Sequence, residues 1–218
     1  MNGSSLPLQT DAIRLALPKA RYLPAASAII RAFGGVVTNG HLRYPLRCGT
    51  AYLLRAPDIA QAVADGYFDI GVTPDEWCEE YLASTSTTRL HVVRGEQPLS
   101  MTRLSIIGPD PRAWPPTHPP LVATAFPNLC RATLNALGVT PRAILSLRGS
   151  LEGVVPDVAE YAYDCVESGR TIAAHALHEI MTSHRQLGLS IVTTAPAANP
   201  AHIATILRGL SPFAPSSG

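Results

Sequence analysis

The sequence has few charges and lacks the features of several protein classes. Only 15% of its 218 residues are charged, and a net charge of +1 argues against the broad basic surface that binds nucleic acid. No apolar run reaches the length of a membrane span. The N-terminus lacks the charged region and apolar block of a signal peptide. We therefore expect a cytoplasmic globular protein that binds neither nucleic acid nor membrane.

Cysteine and lysine are also scarce. The four cysteines are scattered, without the CxxC spacing of zinc or redox sites, and this predicts reduced, structural thiols. Lys19 is the only lysine in a chain that is otherwise rich in arginine. It is therefore a candidate for a chemical role, with chance as the alternative.

What the sequence does contain is a regular alternation of short patterns. Apolar runs typical of buried strands occur at residues 13–18, 51–56, 68–73, 102–108, 121–126 and 143–149. Amphipathic patterns, most of which open at a proline, predict helices at residues 24–33, 57–66, 74–83, 127–138 and 201–210. This order predicts an α/β fold with mixed, largely parallel sheets.

One polar stretch, DCVESGRT (residues 164–171), stands out in this apolar chain. Asp157 and Glu160 have the spacing of a capping box and predict a helix that stops at Gly169. A strand over residues 171–177 would follow. Such a helix end exposes amides and hydroxyls that suit a phosphate, and a plain helix C-cap is the alternative.

Several segments together carry a family resemblance. In chain order they are LALPKAR (15–21), RAPDI (55–59), DGYFDIGVT (65–73), VATAFPNL (122–129), GSLE (149–152) and DCVESGRT (164–171). They resemble, collinearly, the motifs of ATP phosphoribosyltransferase, the first enzyme of histidine biosynthesis. Collinear matches are far more specific than any single motif.

The resemblance implies a two-lobed clamshell of the periplasmic-binding-protein type II class, with the active site in the cleft. Lobe I would comprise residues 1–98 and 190–218, and lobe II residues 99–189 with the loop 164–171. The length resembles the short form of the family. Short forms resemble subunits that assemble as homo-oligomers, usually with a regulatory partner related to histidyl-tRNA synthetase.

The resemblance also implies roles for named residues. The 5-phosphate of phosphoribosyl pyrophosphate (PRPP) would be bound by Glu167, Ser168, Gly169, Arg170 and Thr171. The predicted catalytic residues are Lys19 and Arg21 against pyrophosphate, Glu152 as general base or ribose contact, and Asp164 at the ribose hydroxyls. Arg55, Asp58 and Thr73 are second-tier cleft residues, with an Arg55–Asp58 salt bridge as the alternative. Mg²⁺ would enter with pyrophosphate rather than on protein ligands.

The sequence departs from the family motifs at some of these places. Ala20 stands where the family has glycine in "PKGRL", Pro74 replaces a glycine, and His175-Ala176 replaces "NG". Asp157 stands in place of the glycine of "GLAD". Three functions stay open: transfer of phosphoribosyl from PRPP to a ring nitrogen of ATP, transfer to another aromatic nitrogen acceptor or changed chemistry in a paralogue, and non-catalytic binding of a small molecule.

Overall fold

The structure, a computed structural model, describes residues 12–86, 89–94, 102–194 and 200–213, apart from the side chain of Arg185. The helices in these residues are α1 Leu23–Ala32, α2 Ala56–Ala64, α3 Asp75–Ser84, α4 Pro127–Ala136, α5 Arg170–Ala174 and α6 Pro200–Leu210. The strands are β1 Ile13–Pro18, β2 Arg43–Leu46, β3 Gly49–Leu54, β4 Ile70–Pro74, β5 His91–Arg94, β6 Thr102–Gly108, β7 Leu121–Thr124, β8 Ala143–Ser146, β9 Tyr161–Val166, β10 His178–Leu187 and β11 Leu189–Thr193.

The chain divides into two compact units, each built from separated segments. The first takes in the described residues of Met1–Thr73, Arg89–Val93 and Ile191–Pro212. The second takes in those of Pro74–Thr88, Arg94–Ser190 and Phe213–Gly218. The lobe boundaries expected from the sequence stay a prediction, and the compact units differ from them by placing α3 in the second unit.

The first unit contains most of a six-stranded sheet with the order β2-β3-β1-β4-β11-β5. The central strand β1 runs parallel to β3 and β4, while β2 is antiparallel to β3. Leu15, Ala16 and Leu17 of β1 are fully buried, which explains why these successive residues are all apolar instead of alternating with polar ones. Helix α6 contacts α1, and a Cβ at Gly209 would lie only 3.1 Å from the Cα of Ile29. Glycine therefore allows the two helices to approach closely.

The second unit contains a five-stranded sheet with the order β10-β6-β9-β7-β8. Strand β7 is parallel to β8 and β9, and β6 is antiparallel to β9 and β10. Its larger core cluster is centred on apolar side chains of β6, β7 and α4, including Leu104, Val122 and Leu134, together with the fully buried Tyr163. Each sheet is mixed, and the predicted α/β class is confirmed.

Two predicted elements are wrong, and both overlap the polar stretch. Residues 161–166 form strand β9 instead of a helix, because this segment pairs with β6 on one side and β7 on the other. Glu160 is not the partner of a capping box. Its carboxylate accepts the backbone N–H of Leu121 at 2.9 Å and pairs with Arg142 at 3.1 Å. The predicted strand over 171–177 is also wrong, since residues 170–174 form α5.

Candidate functional site

The stretch DCVESGRT is a strand–turn–helix junction. Strand β9 ends at Val166, and Gly169 is the N-cap of α5 with a left-handed φ of 72°. The Gly169 carbonyl accepts the N–H of Ala173 at 3.1 Å, which starts the helix. A Cβ at Gly169 would meet only side-chain carbons of Ile172, at 3.9 and 4.0 Å. Glycine is therefore favoured here by its backbone conformation rather than by lack of space.

A pocket of about 180 Å³ opens at this junction. Its lining residues are Glu152, Val166, Glu167, Ser168, Gly169, Thr171 and Ile172. Five of these are predicted site residues, four from the loop itself and Glu152 from a separate part of the chain. The pocket combines two carboxylates and two hydroxyls with the buried side chains of Val166 and Ile172. Polar groups beside apolar side chains in one concavity are typical of a small-molecule site.

Glu152 reaches the pocket from a 3-10 turn that comes soon after β8 and spans Leu151–Val154. Leu151 is only 1% exposed and belongs to the second core cluster of this unit. The turn contacts β7 and β9, so the buried Leu151 fixes the base of the turn that carries Glu152. The GSLE segment thus consists of a buried Leu151 followed directly by a carboxylate that lines the pocket.

The other predicted residues of this loop lie outside the pocket lining. Asp164 lies within β9, opposite Ser105 of β6, and its carboxylate accepts the N–H of Cys165 at 2.7 Å. Arg170 is the first residue of α5 and is exposed, and its N–H lies 3.4 Å from the Ser168 hydroxyl. Their predicted substrate contacts stay predictions.

An ion pair on neighbouring strands lies beside the loop, and sequence reasoning missed it. Arg103 of β6 donates to the Glu179 carboxylate of β10 from Nε at 2.6 Å and from Nη2 at 2.5 Å. Its third nitrogen donates to the Glu167 carbonyl at 2.8 Å. Hydrogen bonding from Arg103 lowers the pKa of Glu179 to about 2, although partial burial opposes the shift.

The first unit places further predicted residues at one edge of its sheet. Pro18 of β1 and Leu54 of β3 are paired at the carboxyl ends of two parallel strands. Lys19 and Arg55 come directly after them, and the Lys19 N–H donates to the Leu54 carbonyl at 3.0 Å. Ligands of open α/β sheets bind at this edge, which supports the selection of both cations.

The remaining candidates of this unit differ in their exposure. The Arg21 guanidinium donates to the Tyr22 hydroxyl at 2.5 Å and lies 4.8 Å from the centre of that ring. Asp58 is exposed in the first turn of α2. Thr73 is fully buried, and its hydroxyl donates to the Ala56 carbonyl at 3.2 Å. Its local partner is therefore the backbone of the first residue of α2, and a substrate contact for Thr73 stays a prediction.

Two of the departures from the family motifs share one backbone property. Ala20 has φ of 60° and Ala176 has φ of 53°, both in the left-handed region that glycine adopts most readily. Ala176 follows α5, where the ring of His175 donates to the Thr171 carbonyl at 2.9 Å. The chain thus keeps a glycine-like conformation at both places while carrying a methyl group.

Two further observations concern the described residues as a whole. In this part of the chain, no cluster of three or more His, Cys, Asp and Glu side chains is arranged to hold a metal ion. Across the same residues, every helix is too short or too polar to cross a membrane.

The scaffold and pocket define an α/β protein with a candidate anion-binding loop. A family model described as ATP phosphoribosyltransferase matches residues 55–211. The chain therefore belongs to the ATP phosphoribosyltransferase family. The pocket and its loop lie within the matched residues.

Individual relatives with similar sequences are also ATP phosphoribosyltransferases. The chain is 33% identical over 129 residues to an ATP phosphoribosyltransferase of Mycobacterium sp. (strain KMS), a match that covers 58% of this chain and 43% of that protein. It is 28% identical over 185 residues to one from Rhizorhabdus wittichii, covering 79% of this chain and 82% of the relative. The chain thus spans under half of the mycobacterial relative and most of the other.

Solved structures agree on the fold. A chain of the ATP phosphoribosyl transferase (HisG:HisZ) complex from Thermotoga maritima is similar with a TM-score of 0.76 at 21% identity, covering 92% of this chain and 98% of that one. The alkanesulfonate-binding protein SsuA from Xanthomonas axonopodis pv. citri gives a TM-score of 0.60 at 12% identity, covering 92% and 72%. The fold is therefore of the two-lobed periplasmic-binding-protein type.

Proposed function

We propose that this protein is an ATP phosphoribosyltransferase, which transfers the 5-phosphoribosyl group of PRPP to a ring nitrogen of ATP as the first step of histidine biosynthesis in the cytoplasm. The observation that carries the proposal is the pocket at the β9–α5 junction, where the family's loop and Glu152 meet. In the reaction, the bond from ribose C1 to pyrophosphate breaks and a bond from the acceptor nitrogen to C1 forms. One proton leaves the acceptor.

The loop would hold the 5-phosphate. The left-handed Gly169 bends the turn so that consecutive backbone amides can face one anion, and the Ser168 and Thr171 hydroxyls line the same pocket. This anchor fixes the position of the ribose relative to the protein, and such positioning lowers the entropic part of the barrier. Arg170, at the exposed start of α5, would add positive charge near the phosphate.

The carboxylates beside the loop suit the ribose. Glu152 and Glu167 line the pocket and are hydrogen-bond acceptors. Ribose hydroxyls would need such partners, and the developing positive charge at C1 would need negative charge nearby. We assign to Glu152 the removal of the acceptor proton, and to Asp164 a contact with the ribose hydroxyls. Carboxylate oxygens are also the ligands that Mg²⁺ accepts in addition to phosphates. When bound with pyrophosphate, Mg²⁺ would neutralise the charge of the leaving group.

Cations from the first unit would meet pyrophosphate. Lys19 and Arg55 follow the carboxyl ends of two adjacent strands, and Arg21 lies two residues further along the first of these loops. Lys19 and Arg21 are assigned to pyrophosphate. Arg55, Asp58 and Thr73 are assigned as second-tier substrate contacts. We further infer an oligomer with a regulatory subunit related to histidyl-tRNA synthetase, since the solved relative from Thermotoga maritima is part of a HisG:HisZ complex.

A second function is favoured by the alanines at Ala20 and Ala176. Each adds a methyl group at a left-handed position where the family has glycine. If backbone at these places approaches the acceptor, the methyl groups reduce the space for it. This supports the alternative of a PRPP-dependent paralogue that uses another aromatic nitrogen acceptor.

The experiment combines turnover with binding. Purified protein is incubated with PRPP, ATP and Mg²⁺, with and without a regulatory subunit, while the absorbance of phosphoribosyl-ATP is followed. Turnover is expected. Binding of PRPP without turnover on ATP would instead favour the paralogue, and absence of PRPP binding in calorimetry would leave a non-catalytic binder of another ligand.

The loop itself is tested by Thr171→Val. Loss of one hydrogen bond to a charged phosphate costs about 1.5–3 kcal/mol, so PRPP should bind about ten- to a hundredfold more weakly. Thr205→Val is the matched control, because the Thr205 hydroxyl donates to the Ala201 carbonyl within α6 of the first unit. Equal PRPP affinity in both variants would contradict the phosphate role of the loop.

A further inference from the structure

Arg103 connects two structural elements that flank the candidate loop. Its guanidinium binds the Glu179 carboxylate with two nitrogens, at 2.6 and 2.5 Å, and the Glu167 carbonyl with the third, at 2.8 Å. Glu167 is a lining residue of the pocket, and Arg103 is not. The contact therefore reaches the loop from outside the pocket.

The contact determines which way one peptide unit faces. A trans peptide is planar, so the N–H of a residue points opposite to the carbonyl of the residue before it. The Glu167 carbonyl points at Arg103, and the Ser168 N–H therefore points away from Arg103. Since Ser168 lines the pocket, its amide is a candidate donor to a phosphate there. Rotation of this peptide would turn a carbonyl oxygen, which repels phosphate, toward that side.

Glu179 holds the guanidinium in place. Besides the two bonds from Arg103, its carboxylate accepts the hydroxyls of Ser105 and Thr182, each at 2.7 Å. Both side chains of the ion pair are largely covered, with 27% of Arg103 and 20% of Glu179 exposed. A bidentate pair of this kind restricts the rotation of the guanidinium and so directs its remaining donor.

We propose that Arg103, oriented by Glu179, is a positioning residue that sets the Glu167–Ser168 peptide for phosphate binding. It acts through the loop and does not touch the substrate. The inference rests on the proposed function, because the phosphate is taken to be that of PRPP.

The test measures PRPP binding with Mg²⁺ by calorimetry and the KM values for PRPP and ATP. Arg103→Met should weaken PRPP binding about tenfold and raise the KM for PRPP similarly, while the KM for ATP changes less than twofold. Arg142→Met is the matched control, since Arg142 forms an arginine–glutamate pair with Glu160 elsewhere in the same unit. It should leave both KM values unchanged. Equal PRPP binding in the two variants would overturn the proposal.

Two further variants separate positioning from a general structural role. Arg103→Lys keeps a cation beside Glu179 and therefore the ion pair between strands, but one ammonium cannot reproduce the three directed bonds. It should fold with an unchanged melting temperature and still lose PRPP affinity about threefold. If Glu179 acts only through Arg103, adding Glu179→Gln to Arg103→Met should cause no additional loss of PRPP affinity. If the losses of PRPP affinity from the two substitutions add up, Glu179 does not act only through Arg103, and that part of the proposal is overturned.

PRPP binding by the wild-type protein distinguishes a failure of the proposed function from a failure of the positioning role of Arg103. Failure of the wild-type protein to bind PRPP would overturn the proposed function and the positioning role together. PRPP binding by the wild type that survives Arg103→Met and Arg103→Lys would overturn the positioning role alone.

Discussion

Glu80 of α3 should be among the most costly carboxylates to remove from the second unit. It is 8% exposed and accepts three hydrogen bonds from the start of α4: the Asn128 N–H at 3.0 Å, the Asn128 side-chain amide at 2.7 Å and the Leu129 N–H at 2.9 Å. The N-cap residue of α4 is Phe126, whose side chain has no polar atom. Glu80 thus supplies the cap of α4 from another helix.

The magnitude follows from these bonds. In Glu80→Leu, two backbone donors of the first turn lose their acceptor, and each unsatisfied buried donor costs about 1–3 kcal/mol. Loss of a cap alone costs about 1 kcal/mol. Allowing for partial access of water to Asn128, we expect about 3 kcal/mol of lost unfolding free energy. For a chain of this size, that is a fall of about 6–12 °C in melting temperature. Glu80→Gln, which keeps an acceptor oxygen, should lose less than half as much.

Glu79 provides the control on the same helix. It pairs with Arg94, whose side chain is 54% exposed, and a pair of this kind contributes about 0–1 kcal/mol. Urea and thermal unfolding of Glu80→Leu, Glu80→Gln and Glu79→Leu compare the three directly. Equal losses for Glu79→Leu and Glu80→Leu, or a loss below about 1 kcal/mol for the latter, would refute the reasoning from capping.

Two other predictions concern acid stability and backbone strain. The pKa of Glu179 is lowered from 4.5 to about 2, a shift worth about 3 kcal/mol that solvent screening reduces to about 1–2 kcal/mol. Because the folded-state pKa is depressed, this stabilisation is present above pH 4.5 and is lost as the pH falls toward 2. The difference in unfolding free energy between wild type and Glu179→Gln, measured in urea titrations, should therefore shrink over that range. A difference that stays constant with pH would contradict this prediction. Ala20→Gly and Ala176→Gly should each relieve about 1 kcal/mol of left-handed strain, offset in part by unfolded-state entropy, so melting temperatures should stay level or rise. Ala83→Gly, at an exposed position of helix α3, should lower the melting temperature, and an equal fall in all three variants would count against the strain.

The sequence predicts the strands whose burial is complete. Strands β1 and β4 are apolar runs covered on both faces, so composition alone identifies them. Strand β9 is misassigned as a helix because, besides the capping-box spacing of Asp157 and Glu160, the sequence places Val158, Ala162, Cys165 and Val166 on one helical face. Hydrogen bonding to β6 and β7, whose paired residues lie at least 39 positions away in the chain, outweighs that local pattern. Local periodicity carries no information on such distant partners.

The residues of the candidate site also differ in whether the local sequence identifies them. Ser168, Gly169 and Thr171 are found from the sequence because their chemistry is concentrated in one short loop. Glu152 is found through the family motif. Arg103 and Glu179 are missed because they are 76 residues apart and meet only through the antiparallel register of β6 and β10. The signal available in advance was Arg103 itself, the one charged residue of this predicted strand, because a charged side chain needs a partner when it is partly buried.

The division into discontinuous units has a consequence for synthesis on the ribosome. Strand β11 lies between β4 and β5 in the first sheet, and α6 packs on α1, yet both segments come late in the chain. The first unit is therefore incomplete until residues 191–210 have emerged, while nearly all of the second unit has already been made. A nascent chain therefore leaves β4 and β5 without their shared neighbour β11 until late in synthesis, and exposed strand edges promote aggregation. Chaperone demand should accordingly concentrate on the segment made first.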